Sequence, residues 1–316
     1  MAPKKLLKTA RATIKRPLPR QLLVIFILLL TTLLFIHFFA QHHDYLHKLR
    51  QVSPWTIVWV LLLNGLMVAV LACITEITLR ICGKHLEIKE NFMLTAYSSI
   101  ANFFGPLQSG PGVRAIYLKT KHHVRLRDYT LASLLALGLF AFYSALFLFI
   151  GTRPWWQTTG ALVLVGGFSW LVIRLFKKRD KKPAESQFNL RPQLLAALMV
   201  FTLVQVIITI GWYFVELRAV NPGIHLSQAM SYAGAANFSL FVSITPDAIG
   251  IREAFLVFSQ HIHHVSTANI VSANLIDRAA YVLFLGLLFI VVLSLHAKDK
   301  LQITKVRQAA AAKSER

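Results

Sequence analysis

The sequence predicts an all-α integral membrane protein of about six full transmembrane helices plus two re-entrant helical hairpins, arranged as an inverted repeat. Three observations predict it. The 316 residues are 56% hydrophobic and only 15% charged, and the mean hydropathy is +0.57, the composition of a membrane chain and not of a soluble domain. The long apolar stretches are apolar all round, so they read as helices and not as the alternating strands of a barrel. Finally, two Gly/Pro-broken apolar segments repeat each other, the signature of a repeat whose interface holds a site.

The elements follow in order from length and charge. Residues 1–20 carry Lys4, Lys5, Lys8, Arg11, Lys15, Arg16 and Arg20 and form a basic cytoplasmic tail. The apolar run 21–40 is too long for the core of a cleaved signal peptide and is the first span. Residues 41–53 hold few fixed positive charges and are outside, and 54–80 is the second span. Residues 81–90, with Lys84 and Lys89, are inside. Glu76 and Arg80, four apart near that end, form a local pair. The basic stretch 114–128 is inside as well, so the mostly apolar segment 91–113 starts and ends on one face and must dip in and return. Spans 129–151 and 155–175 follow, joined by a short outer turn. The basic stretch 174–192 is inside, and 193–217 crosses outward. Segment 227–264 starts and ends outside, 268–296 crosses back, and 297–316 is a second basic cytoplasmic tail. The membrane domain is thus 21–296, with repeat halves at about 54–151 and 193–296. One hairpin enters from inside and the other from outside, with both termini cytoplasmic.

The repeat is visible residue by residue. The first copy runs Tyr97-x-x-x-Ala101-Asn102-Phe103, then Pro106, then Gly112-Val113-Arg114. The second runs Tyr232-x-x-x-Ala236-Asn237-Phe238, then Pro246, then Gly250-Ile251-Arg252. The tyrosines lie 135 positions apart and the Gly-x-Arg parts 138 apart, as do Tyr143 and Tyr281 in the following spans. Stretches 105–112 and 245–250 cannot be continuous helix and read as breaking tips, with a second half-helix starting near Gly112 and Gly250. A helix N-terminus directed into the membrane interior attracts an anionic group, phosphate above all. Arg114 and Arg252 sit two residues further along and add fixed charge; Arg114 also reads as an orientation charge beside the basic loop. Asn102 and Asn237 are either headgroup contacts or helix–helix glue. Asp277 and Arg278 lie about ten residues into the last span, a depth at which ionisable groups are paired or functional. Their candidate partners are Asp247 and Glu253. Leu139-Phe140 occupy the matching places in the first half, so the halves are not chemically equivalent.

A net charge of +21 would suggest nucleic acid in a soluble protein. Here the lysines and arginines lie between apolar spans, so membrane orientation and anionic lipid account for them, and no nucleic-acid partner is expected. Cys73 and Cys82 give no metal spacing. His261, His263 and His264 cluster without a carboxylate, and neither a metal nor a cofactor is expected. No soluble catalytic motif is present, so no catalytic residue is assigned.

The stretch Ile244-Thr-Pro246-Asp-Ala-Ile-Gly250-Ile-Arg252-Glu253-Ala254 resembles the Pro-Gly-Gly-Ile-Gly-x-Arg-Glu-Ala signature of the flippase-like membrane domain of bacterial lysylphosphatidylglycerol synthetases/flippases. Gly110-Pro-Gly112-Val-Arg114 in the first half, and Arg278 with Tyr281 in the last span, support the match over roughly residues 20–296. Asp247 and Ala248 replace the usual Gly-Gly pair, and Pro111-Gly112 lies where many relatives carry an acid, which leaves the lipid open. With about 20 residues after the last span, the resemblance implies a stand-alone lipid transporter of the bacterial inner membrane without the synthetase's soluble domain. It would handle membrane phospholipids or related lipids, with Arg114, Arg252, Arg278, Asn102 and Asn237 at the headgroup and Asp247, Glu253 and Asp277 as charge partners. An intramembrane lipid-modifying enzyme, or a membrane subunit or scaffold for a separately encoded lipid synthase, is the alternative. Homo-oligomerisation is left open.

Overall fold

The computed structural model describes residues 33, 52–104, 109–150, 188–241, 248 and 251–314, with the backbone alone for 150 and 296–314. The chain divides into two compact units, Met1–Gln51 and Val52–Arg316. The basic tail 1–20, the predicted span 155–175, the predicted span 21–40 apart from Leu33, and Pro106, Pro246 and Asp247 lie outside the described residues.

The described residues of the second unit form helices and connecting turns. These are α1 (Pro54–Ile81), α2 (Ile88–Phe104), α3 (Ser109–Lys121), α4 (Leu126–Ile150), α5 (Pro192–Val220), α6 (Leu226–Ser239), α7 (Ile251–Phe258), α8 (Gln260–His263) and α9 (Thr267–Ser314). Four are long and apolar enough to cross a membrane: α1, α4 over Leu126–Phe149, α5, and α9 over Thr267–Leu295. They match four of the six expected spans within a few residues, so the chain is a multi-pass membrane protein. Both α1 and α5 open on a proline in the first turn, where the missing N–H costs no helical bond. Beyond α1 the chain turns at Gly83, which adopts a left-handed φ of 69°. Glu76 and Arg80 form the expected local pair at 2.8 Å.

The two spans α1 and α5 run antiparallel. Asn189, just before α5, donates its backbone N–H to the carbonyl of Ile81 at the end of α1, at 2.8 Å. The two helices then pack along their length, Val70, Ile74, Ile77 and Leu79 sharing a buried cluster with Leu198 and Ile208. A short helix pair follows α1, and another follows α5, so the two pairs rise from opposite ends of the α1–α5 pair.

Each short pair is closed at its base by side chains. Glu90, on the first turn of α2, has Oε1 within 2.5 Å of the Tyr117 hydroxyl, 2.7 Å of Lys121 Nζ and 2.7 Å of His122 Nε2, at the end of α3. Burial alone would raise the Glu90 carboxyl, but the bonds from Lys121, Tyr117 and His122 outweigh it and hold the group down at about 2. In the second pair Gln228 accepts from the backbone N–H of His225 at 3.0 Å and donates to the carbonyl of His264 at 3.1 Å. This fixes the start of α6 against the end of α8.

Two expectations are corrected. Gly110, Pro111 and Gly112 belong to α3, which begins at Ser109 and not near Gly112. Pro111 falls in the first turn, where helices tolerate it, so the break lies before Ser109. Residues 114–121 belong to the second helix of the short pair and not to a basic loop, because α3 runs on to Lys121. In the second pair, α7 starts at Ile251, next to the expected Gly250. Between α6 and α7, Ala248 is 2% exposed with a left-handed φ of 58°, a conformation that favours glycine.

Candidate functional site

A cavity of about 300 Å³ lies where the long helices and both short pairs converge. Its first-half wall is built from α1 (Thr75, Thr78), α2 (Ser98, Ser99, Asn102) and α3 (Gly110, Arg114). Its second-half wall comes from α5 (Trp212, Tyr213), Asn237 of α6, Arg252 of α7, and Asp277 and Tyr281 of α9. Residues from the two copies of the repeat, Asn102 with Asn237 and Arg114 with Arg252, therefore share one chamber. Helix α2 approaches α3 closely enough that a Cβ on Gly110 would lie 2.6 Å from the carbonyl oxygen of Ser98. The carboxamide oxygen of Asn102 faces the backbone N–H of Gly110 at 3.4 Å, near the start of α3. Asn102 thus caps the turn from which Arg114 projects.

The two arginines of the cavity differ in what surrounds them. Arg252 is 6% exposed. It donates through Nη2 to Asp277, and through Nη1 to the Tyr213 hydroxyl at 3.3 Å. Its charge is compensated within the protein. Arg114 donates through Nη1 to the hydroxyl of Thr75 at 2.9 Å. Its Nε is buried without a hydrogen-bond partner, and no carboxylate pairs with it among the described residues. The first-half arginine is therefore a guanidinium with a hydroxyl partner and spare donors. Asn237 also keeps a buried, unpartnered Nδ2 donor.

Arg278 is placed differently. It is 3% exposed and donates to Glu253 at 3.1 Å, tying α9 to α7. It does not line the cavity. Adjacent residues thus pair separately across the same two helices, Arg252 with Asp277 and Glu253 with Arg278. Helical neighbours point about 100° apart, which keeps the two ion pairs distinct. Asp247 lies outside the described residues. His263 is buried and its ring is committed to the backbone: Nε2 donates to the Leu256 carbonyl at 2.9 Å and Nδ1 accepts from Val265 at 3.1 Å. Among the described residues no group of three His, Cys, Asp or Glu side chains converges as a metal site would need.

Three features of the site escape a reading of the sequence. Thr75 partners Arg114 and Tyr213 partners Arg252, each across 39 positions. Glu216 is 0% exposed and accepts the indole N–H of Trp212. It lies in the electrostatic neighbourhood of Asp277, Arg252 and Arg278. A signal for Glu216 exists, since it is the one acid within 193–217. Its position two residues before Arg218 makes it read as a polar end of the span.

Residues 21–288 match the family described as the lysylphosphatidylglycerol synthase TM region. No curated protein matches the chain.

Proposed function

The chain belongs to the lysylphosphatidylglycerol synthase transmembrane-region family, and from that premise we propose that it binds a phospholipid-type headgroup within the membrane and moves it across. The observation that carries this reading is Arg114. A guanidinium at membrane depth without a carboxylate is costly unless an anion joins it. A lipid phosphate is the anion a bilayer supplies, and it accepts the paired donors of a guanidinium. A chamber of about 300 Å³ lies at the small end of ligand sites and suits a headgroup, with the acyl chains left in the bilayer.

The two short helix pairs are read as re-entrant hairpins of an inverted repeat. Support comes from the antiparallel α1 and α5, from the Glu90 and Gln228 closures at the hairpin bases, and from the placing of Asn102, Asn237, Arg114 and Arg252 on one cavity. With the spans that the sequence predicts at 21–40 and 155–175, the domain would cross six times, with basic cytoplasmic termini in a bacterial inner membrane. Arg252, Asp277, Arg278 and Glu253 would hold the second hairpin until a headgroup competes for Arg252.

The test is reconstitution of the full chain in liposomes containing phosphatidylglycerol fluorescently labelled on an acyl chain. Movement of unmodified lipid between leaflets, lost in Arg114→Gln, is the expected result. Conversion of the lipid to a new product would favour the enzyme reading. Absence of both movement and binding would leave the scaffold reading.

A further inference from the structure

Beside the cavity, the carboxylate of Glu216 has no charge partner among the described residues. Glu216 is fully buried on α5. Its Oε1 accepts from the Trp212 indole, and its Oε2 has no hydrogen-bond partner among the described residues. The cations whose field reaches it are Arg252 and Arg278, and each already pairs with another acid, Asp277 and Glu253. No ion pair reaches Glu216 among the described residues. An ionised carboxylate so placed costs several kcal/mol, whereas the neutral acid does not.

The surroundings offer partners for both forms. The Tyr232 hydroxyl, 0% exposed, is buried and unpartnered, as is Arg252 Nε. Tyr232 shares the electrostatic neighbourhood of Glu216, Asp277 and Arg252. Within that neighbourhood the Tyr232 oxygen can accept from a protonated Glu216, and the Tyr232 O–H and the Arg252 Nε–H can donate to an ionised one. The other titratable or charged groups near Glu216 are Tyr213 on α5, Arg218 two residues on, and Arg278 and Tyr281 on α9. On α1 the titratable side chains, Cys73, Glu76 and Arg80, belong to the opposite end of the antiparallel pair.

Trp212 links this group to the cavity. Its ring lines the chamber, 6.1 Å from the ring of Tyr281, while its N–H is held by Glu216. We propose that Glu216 is a proton-binding site coupled to the cavity: it holds its proton more tightly when an anionic group occupies the Arg114–Arg252 chamber and less tightly when that group leaves. An anion offsets the positive field of the arginines, and that field is what favours the ionised acid. By linkage the proton in turn favours the anion. The step is Glu216-COOH to Glu216-COO⁻ plus a proton passed to water, with no other bond changed. The coupling rests on the headgroup reading above; the proton site does not.

Infrared spectra of the purified full chain in detergent test the site without any lipid movement. The expected result is a carboxylic-acid carbonyl band at neutral pH that is absent in Glu216→Gln and shifted in Trp212→Phe. Gln mimics the neutral acid, so Glu216→Gln should fold as well as the parent. If Glu216→Gln fails to fold while Glu216→Asp folds, an ionised carboxylate is required and the proposal is overturned. A spectrum with no acid band assignable to Glu216 overturns it too, as does loss of the band on adding sodium at fixed pH. For the coupling, water-soluble dihexanoyl phosphatidylglycerol should move the band's pH midpoint upward, by a shift that Arg114→Gln removes. A midpoint indifferent to this lipid overturns the coupling. If the band is present but the liposomes show no lipid movement, the proton site stands and the headgroup reading fails.

Discussion

Arg252 on α7 and Asp277 on α9 bond side chain to side chain across 25 positions, with side-chain exposures of 8% and 4%. A pair this buried gains its attraction against a large desolvation cost, so its net contribution is small. Removing one partner is another matter, because the other charge stays buried alone. Asp277→Asn and Arg252→Gln should each lower stability by about 3–5 kcal/mol. The double variant should lose much less than the sum of the two. Thermal unfolding of the four proteins in one detergent reads this cycle. Additive losses would mean that the two side chains do not act as a pair.

The pairing shows which part of the site is legible in the sequence. Asp277 and Arg278 stand out because charge is rare at their depth of an apolar span. Which arginine meets which acid is not legible, because it depends on the rotation of α7 against α9. The same holds for Thr75 and Tyr213, ordinary residues of apolar helices until an arginine 39 positions away arrives. The spans are legible because a length of about 20 apolar residues is set by the bilayer itself. The first hairpin reads too short, since its second arm ends in Lys119 and Lys121, residues that suggest a loop while the helix carries them.

Glu90 gives the first hairpin a defined acid dependence. Its folded carboxyl lies at about 2, below the ordinary value of about 4.3 for an unfolded glutamate. The folded state therefore binds a proton less readily than the unfolded chain. Its contribution is fully present above the unfolded value and is lost as pH falls toward the folded one. Hydrogen exchange at the end of α3 should speed up between about pH 4 and 2 relative to Glu90→Gln, which lacks this dependence. Equal profiles in the two proteins would show that the Tyr117, Lys121 and His122 bonds do not hold the hairpin base.

Two small residues of the second half predict opposite signs. A Cβ on Gly234 would lie 2.5 Å from the Leu148 backbone nitrogen and 2.6 Å from the Ser144 carbonyl oxygen. Helix α6 therefore presses on the α4 backbone, which cannot give way as a flexible side chain would. Gly234→Ala should cost about 1–3 kcal/mol through overpacking. Ala248, by contrast, holds a left-handed φ of 58°, which costs an L-residue about 1–2 kcal/mol. Ala248→Gly relieves that strain, partly offset by the added freedom of glycine in the unfolded chain. Its melting temperature should rise slightly, while that of Gly234→Ala falls. A tolerated Gly234→Ala would mean that α4 and α6 do not press together at this point.

The proposed inverted arrangement makes the sharpest prediction, because it concerns which face of the membrane the base of each short pair meets. Helix α1 ends beside the start of α5, and each short pair follows one of these two helices. Lys119 is exposed near the base of the first pair and Ser227 near the base of the second. Both native cysteines are free, and Cys73→Ala with Cys82→Ala gives a silent background. On it, Lys119→Cys should react with an impermeant maleimide only from the cytoplasmic face, in inverted vesicles. Ser227→Cys should react only from the outer face, in intact spheroplasts. The distinction follows from parity: a hairpin returns to the face it left, and α1 and α5 deliver the chain to opposite faces. Labelling of both cysteines from one side would require an even number of crossings between them, which α4, the undescribed segment 151–187 and α5 would then have to supply. The two pairs would in that case enter from the same face, and Arg114 and Arg252 could not meet as the related ends of an inverted repeat.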